Sequence, residues 1–326
     1  MKTFVDELVK EIQKKQSILC VGLDPQLKYL PPYVLDRGYE EARYYFEFEP
    51  EDRAIVDYFE EIIKAVASYA VAVKPQMGFY EHYGHWGVWA FEQIVKVAKE
   101  NDLLVIEDAK RCDGGDTAKA YAEGHLGIVD VWSPEKQELV KEISPYDVDA
   151  MTVMPEIGSA CLNPFVEIVK RNGKGIFVVD KTSFTPNSEV EQLVTTSGRK
   201  VWEEIALLVK KWSENCEGKC GLNNVGIVMG ATYPEDAPKM REYLSDCFFL
   251  VPGYGAQGGG SDGAVKGVRK DGLGVIVNSS RDIDYAYQKE RFKCDQKDFA
   301  EAAAKAAEFS RDDLNEALKR ARKLPW

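Results

Sequence analysis

With 326 residues, 45% of them hydrophobic and 29% charged, the chain has the composition of an ordinary globular protein and the length for a large α/β barrel or two ordinary domains. A formal net charge of −12 argues against a nucleic-acid or anionic-membrane surface, since both reward basic patches; an anionic ligand must be held by a local site. The seven scattered cysteines fit a reduced, cytoplasmic compartment, and no apolar run approaches membrane-spanning length.

The N-terminal stretch MKTFVDELVKEIQKK has no signal-peptide core and carries acidic residues that a transit peptide avoids. Phe4, Leu8 and Ile12 share one face of an expected helix over residues 2–14. A strand over 17–22 follows and runs into Leu23-Asp24-Pro25, which makes Asp24 a candidate ligand group at a strand end; a turn aspartate before proline is the plainer alternative. The Pro-, Tyr- and Glu-rich stretch 26–52 reads as an insertion or lid-like excursion without chemistry of its own. A helix over 51–68 then leads into a strand over 69–74, which ends at Lys74, followed by Pro75 and Gln76. A lysine in that position can snorkel at a surface, but its place directly after Val71-Ala72-Val73 favours a cavity. The next residues, GFYEHYGHWG, read as an aromatic turn; His82, His85 and Glu81 lack the third ligand that a metal site needs. A helix over 88–100 follows.

Residues 105–121, VIEDAKRCDGGDTAKAY, are the densest chemical stretch. Leu103 to Ile106 form a continuous apolar run suited to a strand buried on both faces, after which Asp108, Lys110, Asp113 and Thr117 follow in close succession. Alternation along a strand places Asp108 and Lys110 on one side, where each favours the other's charged form and an ammonium can deliver a proton. An isolated solvated ion pair is the commoner fate of such residues, but four polar groups at D-x-K-x-x-D-x-x-x-T offsets on a strand-to-loop junction form a rarer pattern.

Further strands are expected at 148–153, 175–179, 225–229, 248–251 and 273–277, with helices near 163–171, 198–212, 237–244 and 298–322. Together with the strands ending at Leu23, Lys74 and Glu107 these make eight βα units, hence a single (β/α)8 TIM barrel spanning 1–326 with its site at the C-terminal strand ends. The polar stretch 182–198 is longer than a minimal βα loop and suits closure over a ligand. Cys216 and Cys220, in an irregular patch over 216–224, read as surface thiols and not a zinc site, because no second pair accompanies them. After the seventh strand, PGYGAQGGGSDGAV at 252–265 offers glycines whose backbone N–H groups can approach an anion, and Arg281 at the end of the eighth strand can grip phosphate with its planar fork.

The D-x-K-x-x-D-x-x-x-T stretch resembles the signature of orotidine 5'-monophosphate decarboxylase, and its flanks resemble the bacterial-type branch. VGLDP (21–25), VKPQ (73–76), DAMTVMP (149–155), KTS (181–183), VGIVMGAT (225–232), VPGYGAQGG (251–259) and VNSSR (277–281) are similar to that family's landmarks, in order. The resemblance implies decarboxylation of orotidine 5'-monophosphate to UMP in a cofactor-free, metal-free homodimer with shared sites. It assigns Lys74, Asp108, Lys110 and Asp113 to an alternating charge array beside the scissile carboxylate, with Asp113 and Thr117 entering from the second subunit. It also implies that Asp24 joins Lys74 at the ribose, that Ser183 meets the pyrimidine, and that Gln257, Gly258 and Arg281 hold the phosphate. Gly114 stands where the family often has isoleucine, and Phe184 where bacterial-type relatives have asparagine. Two rival readings are a metal-using sugar-phosphate aldolase or epimerase of a related barrel, and a non-catalytic barrel that binds UMP-like ligands.

Overall fold

The computed structural model describes residues 2–45, 49–184, 189–255 and 258–326, with the side chains of 42–45 left aside. Eight strands, Leu19–Leu23, Ala72–Pro75, Leu104–Arg111, Ala150–Val153, Gly175–Lys181, Asn223–Met229, Cys247–Val251 and Val275–Ser279, pair side by side in chain order. The last closes on the first through parallel pairing of Leu19 with Val277 and Val21 with Ser279. Their short apolar runs are buried on both faces, as the strands of a closed parallel barrel must be. Helices fill the outer ring. The opening helix, Phe4–Lys15, and the C-terminal helix, Phe299–Arg320, lie close to their expected places.

Two expectations need correction, and two elements went unread in the sequence. The excursion at 26–52 contains a helix, Pro32–Tyr45, packed beside Pro50–Val66 and tied to it by Arg37 Nε on Asp57 Oδ2 at 3.0 Å. Residues 78–87, read as a turn, are largely helical: Met77–Glu81 is followed by Gly84–Glu100. Buried Met77 and Tyr80 anchor the first of these on the core, which the unusual aromatic density of the stretch concealed. Residues 129–143 form an antiparallel hairpin of Val129–Ser133 with Glu138–Ile143, outside the barrel, which went unnoticed in the sequence. Finally, Cys216 is buried and its Sγ lies 3.8 Å from the Trp212 carbonyl oxygen. The patch around it packs on the opening helix, with Cys220 N–H on Asp6 Oδ1 at 2.9 Å and Val5 N–H on Asn224 Oδ1 at 3.0 Å.

Candidate active site

The C-terminal strand ends surround a cavity of about 690 Å³. Val179, Val228 and Leu250 give it an apolar wall, while Asp24, Lys74, Asp108, Lys110, Ser183 and Arg281 bring in the functional groups expected from the sequence. Charges beside such an apolar wall interact more strongly than they would in water.

Asp108 is the hub. Its Oδ2 accepts from Lys74 Nζ at 2.7 Å, and its Oδ1 accepts from Lys110 Nζ and, at 2.9 Å, from the Thr152 hydroxyl. Burial alone would raise the Asp108 carboxyl, but the two ammonium groups hold it well below the ordinary carboxylate range. Burial likewise opposes charge on Lys74, yet Asp108 and Asp24 hold its ammonium above the usual lysine value. Lys74 is almost inaccessible, whereas the Lys110 side chain is 41% exposed, so Lys110 is the ammonium that reaches the open space.

Asp108 and Lys110 do converge on one cavity, though not by the regular pleat. Glu107 pairs with Met151 and Arg111 with Val153, so the third strand carries two surplus residues between those pairs. Lys110 sits in this irregularity with φ of 50°, in the left-handed region, which costs a non-glycine residue about 1–3 kcal/mol. Thr152 stabilises the distortion, because its hydroxyl accepts the Lys110 backbone N–H at 3.0 Å while donating to Asp108. Bulges of this kind re-aim side chains.

The Asp24 carboxyl is enclosed, and burial raises it above the ordinary value while Lys74 and a Ser280 hydrogen bond oppose the shift. Its Oδ1 and the Asn278 Oδ1 are buried without a hydrogen-bond partner among the described residues, which leaves two acceptors for a ligand's hydroxyl groups. Gly22 makes room for this corner: a Cβ there would overlap Ser280 Oγ. Ser183 and Phe184 line the cavity at the end of the fifth strand.

Arg281 lines the far side, where its guanidinium has no ion-pair partner among the described residues. The nearby loop folds on itself, with Gly255 N–H on the Gly259 carbonyl at 3.0 Å and Gly259 N–H on the Gly253 carbonyl at 3.0 Å. Gly258, at φ of 88°, belongs to this loop; Gln257 lies outside the described residues. Asp113 and Thr117 do not line this cavity. Asp113 follows the third strand in a loop where its Oδ1 accepts the Gly114 N–H at 2.7 Å, and Thr117 is exposed on the helix Gly115–Leu126.

Reasoning from sequence passed over Gln26, Gln76, Phe79, Thr152, Asn278 and Ser280, all of which line the cavity. Thr152 and the Asn278–Ser280 pair occupy polar positions at barrel-strand ends, the same signal that picked out Lys74. Among the described residues, no three His, Cys, Asp or Glu side chains are grouped to hold a metal ion, and no helix is long and apolar enough to cross a membrane.

The family model for orotidine 5'-phosphate decarboxylase / HUMPS matches residues 17–291. The chain is 36% identical to an orotidine 5'-phosphate decarboxylase of Caldicellulosiruptor bescii, over 98% of this chain and 100% of that one. It is also 36% identical to one from Rhodopirellula baltica, with the same coverage. Among solved structures, OMP decarboxylase of Leishmania donovani superposes with a TM-score of 0.71 at 26% identity, covering 97% of this chain and 98% of the other. The family match runs from the first barrel strand to beyond Arg281, and so includes every side chain of the cavity described above: the chain belongs to the orotidine 5'-phosphate decarboxylase / HUMPS family.

Proposed function

We propose that the chain decarboxylates orotidine 5'-monophosphate to UMP and carbon dioxide, the closing step of pyrimidine nucleotide synthesis. The observation that carries this reading is the Lys74–Asp108–Lys110 array beside an apolar wall. Loss of carbon dioxide from C6 of the pyrimidine leaves an anion with no adjacent electron sink, so the protein must stabilise it electrostatically and then protonate it. The Lys110 ammonium does both: its charge faces the developing anion, and its proton completes the product. Asp108 keeps the Lys110 side chain aimed and disfavours a neighbouring substrate carboxylate by like charge. Lys74 balances Asp108 from the protein side.

In this reading the unpartnered Asp24 and Asn278 oxygens accept ribose hydroxyls, and Ser183 contacts the base. Gln257, Gly258 and Arg281 take the phosphate. Asp113 and Thr117, which leave their own cavity unserved, complete the site of a second copy in a homodimer. A reducing cytoplasm suits a chain whose seven cysteines are all free.

The test is an ultraviolet assay of orotidine 5'-monophosphate with purified, chelator-treated protein. Turnover without added metal is expected. Strict dependence on a divalent ion would instead favour a metal-using aldolase chemistry within the same barrel, and binding of UMP without turnover would favour a silent barrel.

A further inference from the structure

The C-terminal helix lies beyond the residues matched by the family model, yet it bonds to Tyr254, which lines the cavity. Asp313, on that helix, accepts two hydroxyl hydrogen bonds: Tyr254 Oη to its Oδ2 at 2.8 Å and Ser261 Oγ to its Oδ1 at 3.0 Å. Tyr254 and Ser261 lie within the Gly-rich stretch, on either side of its run from Gly255 to Gly260. Tyr254 also lines the catalytic cavity, whereas Asp313 does not. One carboxylate therefore joins both ends of the loop and fixes them to the outer helix layer. A second tie runs in parallel, from Arg320 on the same helix to Asp262 Oδ1 at 2.8 Å.

The loop needs such external support. Gly253 and Gly255, at φ of 94° and 74°, give it a backbone that few residues adopt, and glycine raises the entropy lost on ordering. A cavity of about 420 Å³, lined by Phe292, Ala306 and Phe309, lies beside the points where the loop meets the helix, so the two Asp313 hydrogen bonds make the contact there where side-chain packing is incomplete. Both Asp313 oxygens are engaged, and hydrogen bonds to a carboxylate are roughly twice as strong as neutral ones.

We infer that Asp313 is a positioning residue for phosphate recognition: by clamping Tyr254 and Ser261 it holds the described flanks of the Gly-rich loop, residues 253–255 and 258–261, in the arrangement that receives the substrate's phosphate. The inference rests on the functional reading above. Its signature is selectivity between ligands that differ only in the phosphate, because remote binding groups contribute only when their receptor is pre-shaped.

The experiment compares UMP with uridine by isothermal titration, on the full chain and on Asp313→Ala, alongside steady-state kinetics with orotidine 5'-monophosphate. Asp313→Ala is expected to lower the UMP-to-uridine affinity ratio by about tenfold, with KM raised more than kcat is lowered. Asp313→Glu, which keeps the carboxylate, should recover part of that ratio, and Tyr254→Phe and Ser261→Ala should each show a fraction of it. These single-hydroxyl variants keep the inference testable if Asp313→Ala does not fold. An unchanged ratio, or equal weakening of UMP and uridine, would overturn the clamp and leave Asp313 a merely structural residue. Failure of the parent chain both to turn over orotidine 5'-monophosphate and to prefer UMP over uridine would reject the functional reading, and the clamp with it.

Discussion

Lys110 is bonded to Asp108, as Lys74 is, but of the two it alone reaches open space and sits on strained backbone. Lys110→Ala is expected to abolish detectable turnover while UMP binding persists, since the phosphate is received elsewhere; retained turnover would exclude Lys110 as the proton donor. Asp284 makes a different prediction, about stability. It is buried beside Asp24, its Oδ1 has no partner among the described residues, and burial together with the Asp24 charge raises its carboxyl well above the ordinary value. A raised carboxyl holds its proton in the folded state over a pH range in which the unfolded chain has lost it. Its contribution to stability is therefore greatest below the ordinary carboxyl value of 3.8 and declines as pH rises toward the folded value, by roughly 1.4 kcal/mol per pKa unit. Asp284→Asn keeps an acceptor for the Asp24 backbone N–H and removes the titration. Thermal unfolding at pH 4 and pH 7 should show the variant gaining on the parent at the higher pH, and an equal change at both would rule out the buried charge as the cause.

At the level of elements, the seam between the first and eighth strands depends on the missing side chain at Gly22. Gly22→Ala would push Ser280 away from Asp24, with a cost of about 1–3 kcal/mol for overpacking and weaker UMP binding. Unfolding measurements and a UMP titration check both halves, and a variant identical to the parent in each would show that the corner adapts. The barrel strands themselves were legible because a continuous apolar run bounded by polar strand ends, recurring in a βα alternation, suits little besides a strand covered on both faces. The helix Pro32–Tyr45 was not, because proline and tyrosine mask a helical period whose apolar face is completed by the neighbouring helix. The hairpin at 129–143 escaped for the opposite reason: its burial is slight, so it has no strongly apolar stripe to read. At the site, residues with ionisable side chains announced themselves by type, but Thr152 did not. Its importance comes from bridging Lys110 N–H and Asp108 across a bulge, and a bulge leaves no fixed mark in composition.

For the whole molecule, the decisive question is what Asp113 serves. It stands three residues beyond Lys110, is only half-buried, and is absent from the cavity that Lys110 occupies. In the homodimer proposed above, each copy would lend its Asp113 loop to the other's strand ends, so that each of two sites would need Lys110 from one chain and Asp113 from its partner. Two variants, Lys110→Ala and Asp113→Ala, then become complementary. Unfolded together in equal amounts and refolded, they pair at random, and about half of the dimers are mixed. In a mixed dimer one site collects both substitutions and the other collects neither, which leaves about a quarter of all sites intact. Activity of the mixture near that fraction of the parent's, from components that are each inactive, is the expected result. Mixed dimers that are demonstrably present and as inactive as their components would place Asp113 within its own chain, and the loop after the third strand would need a different role.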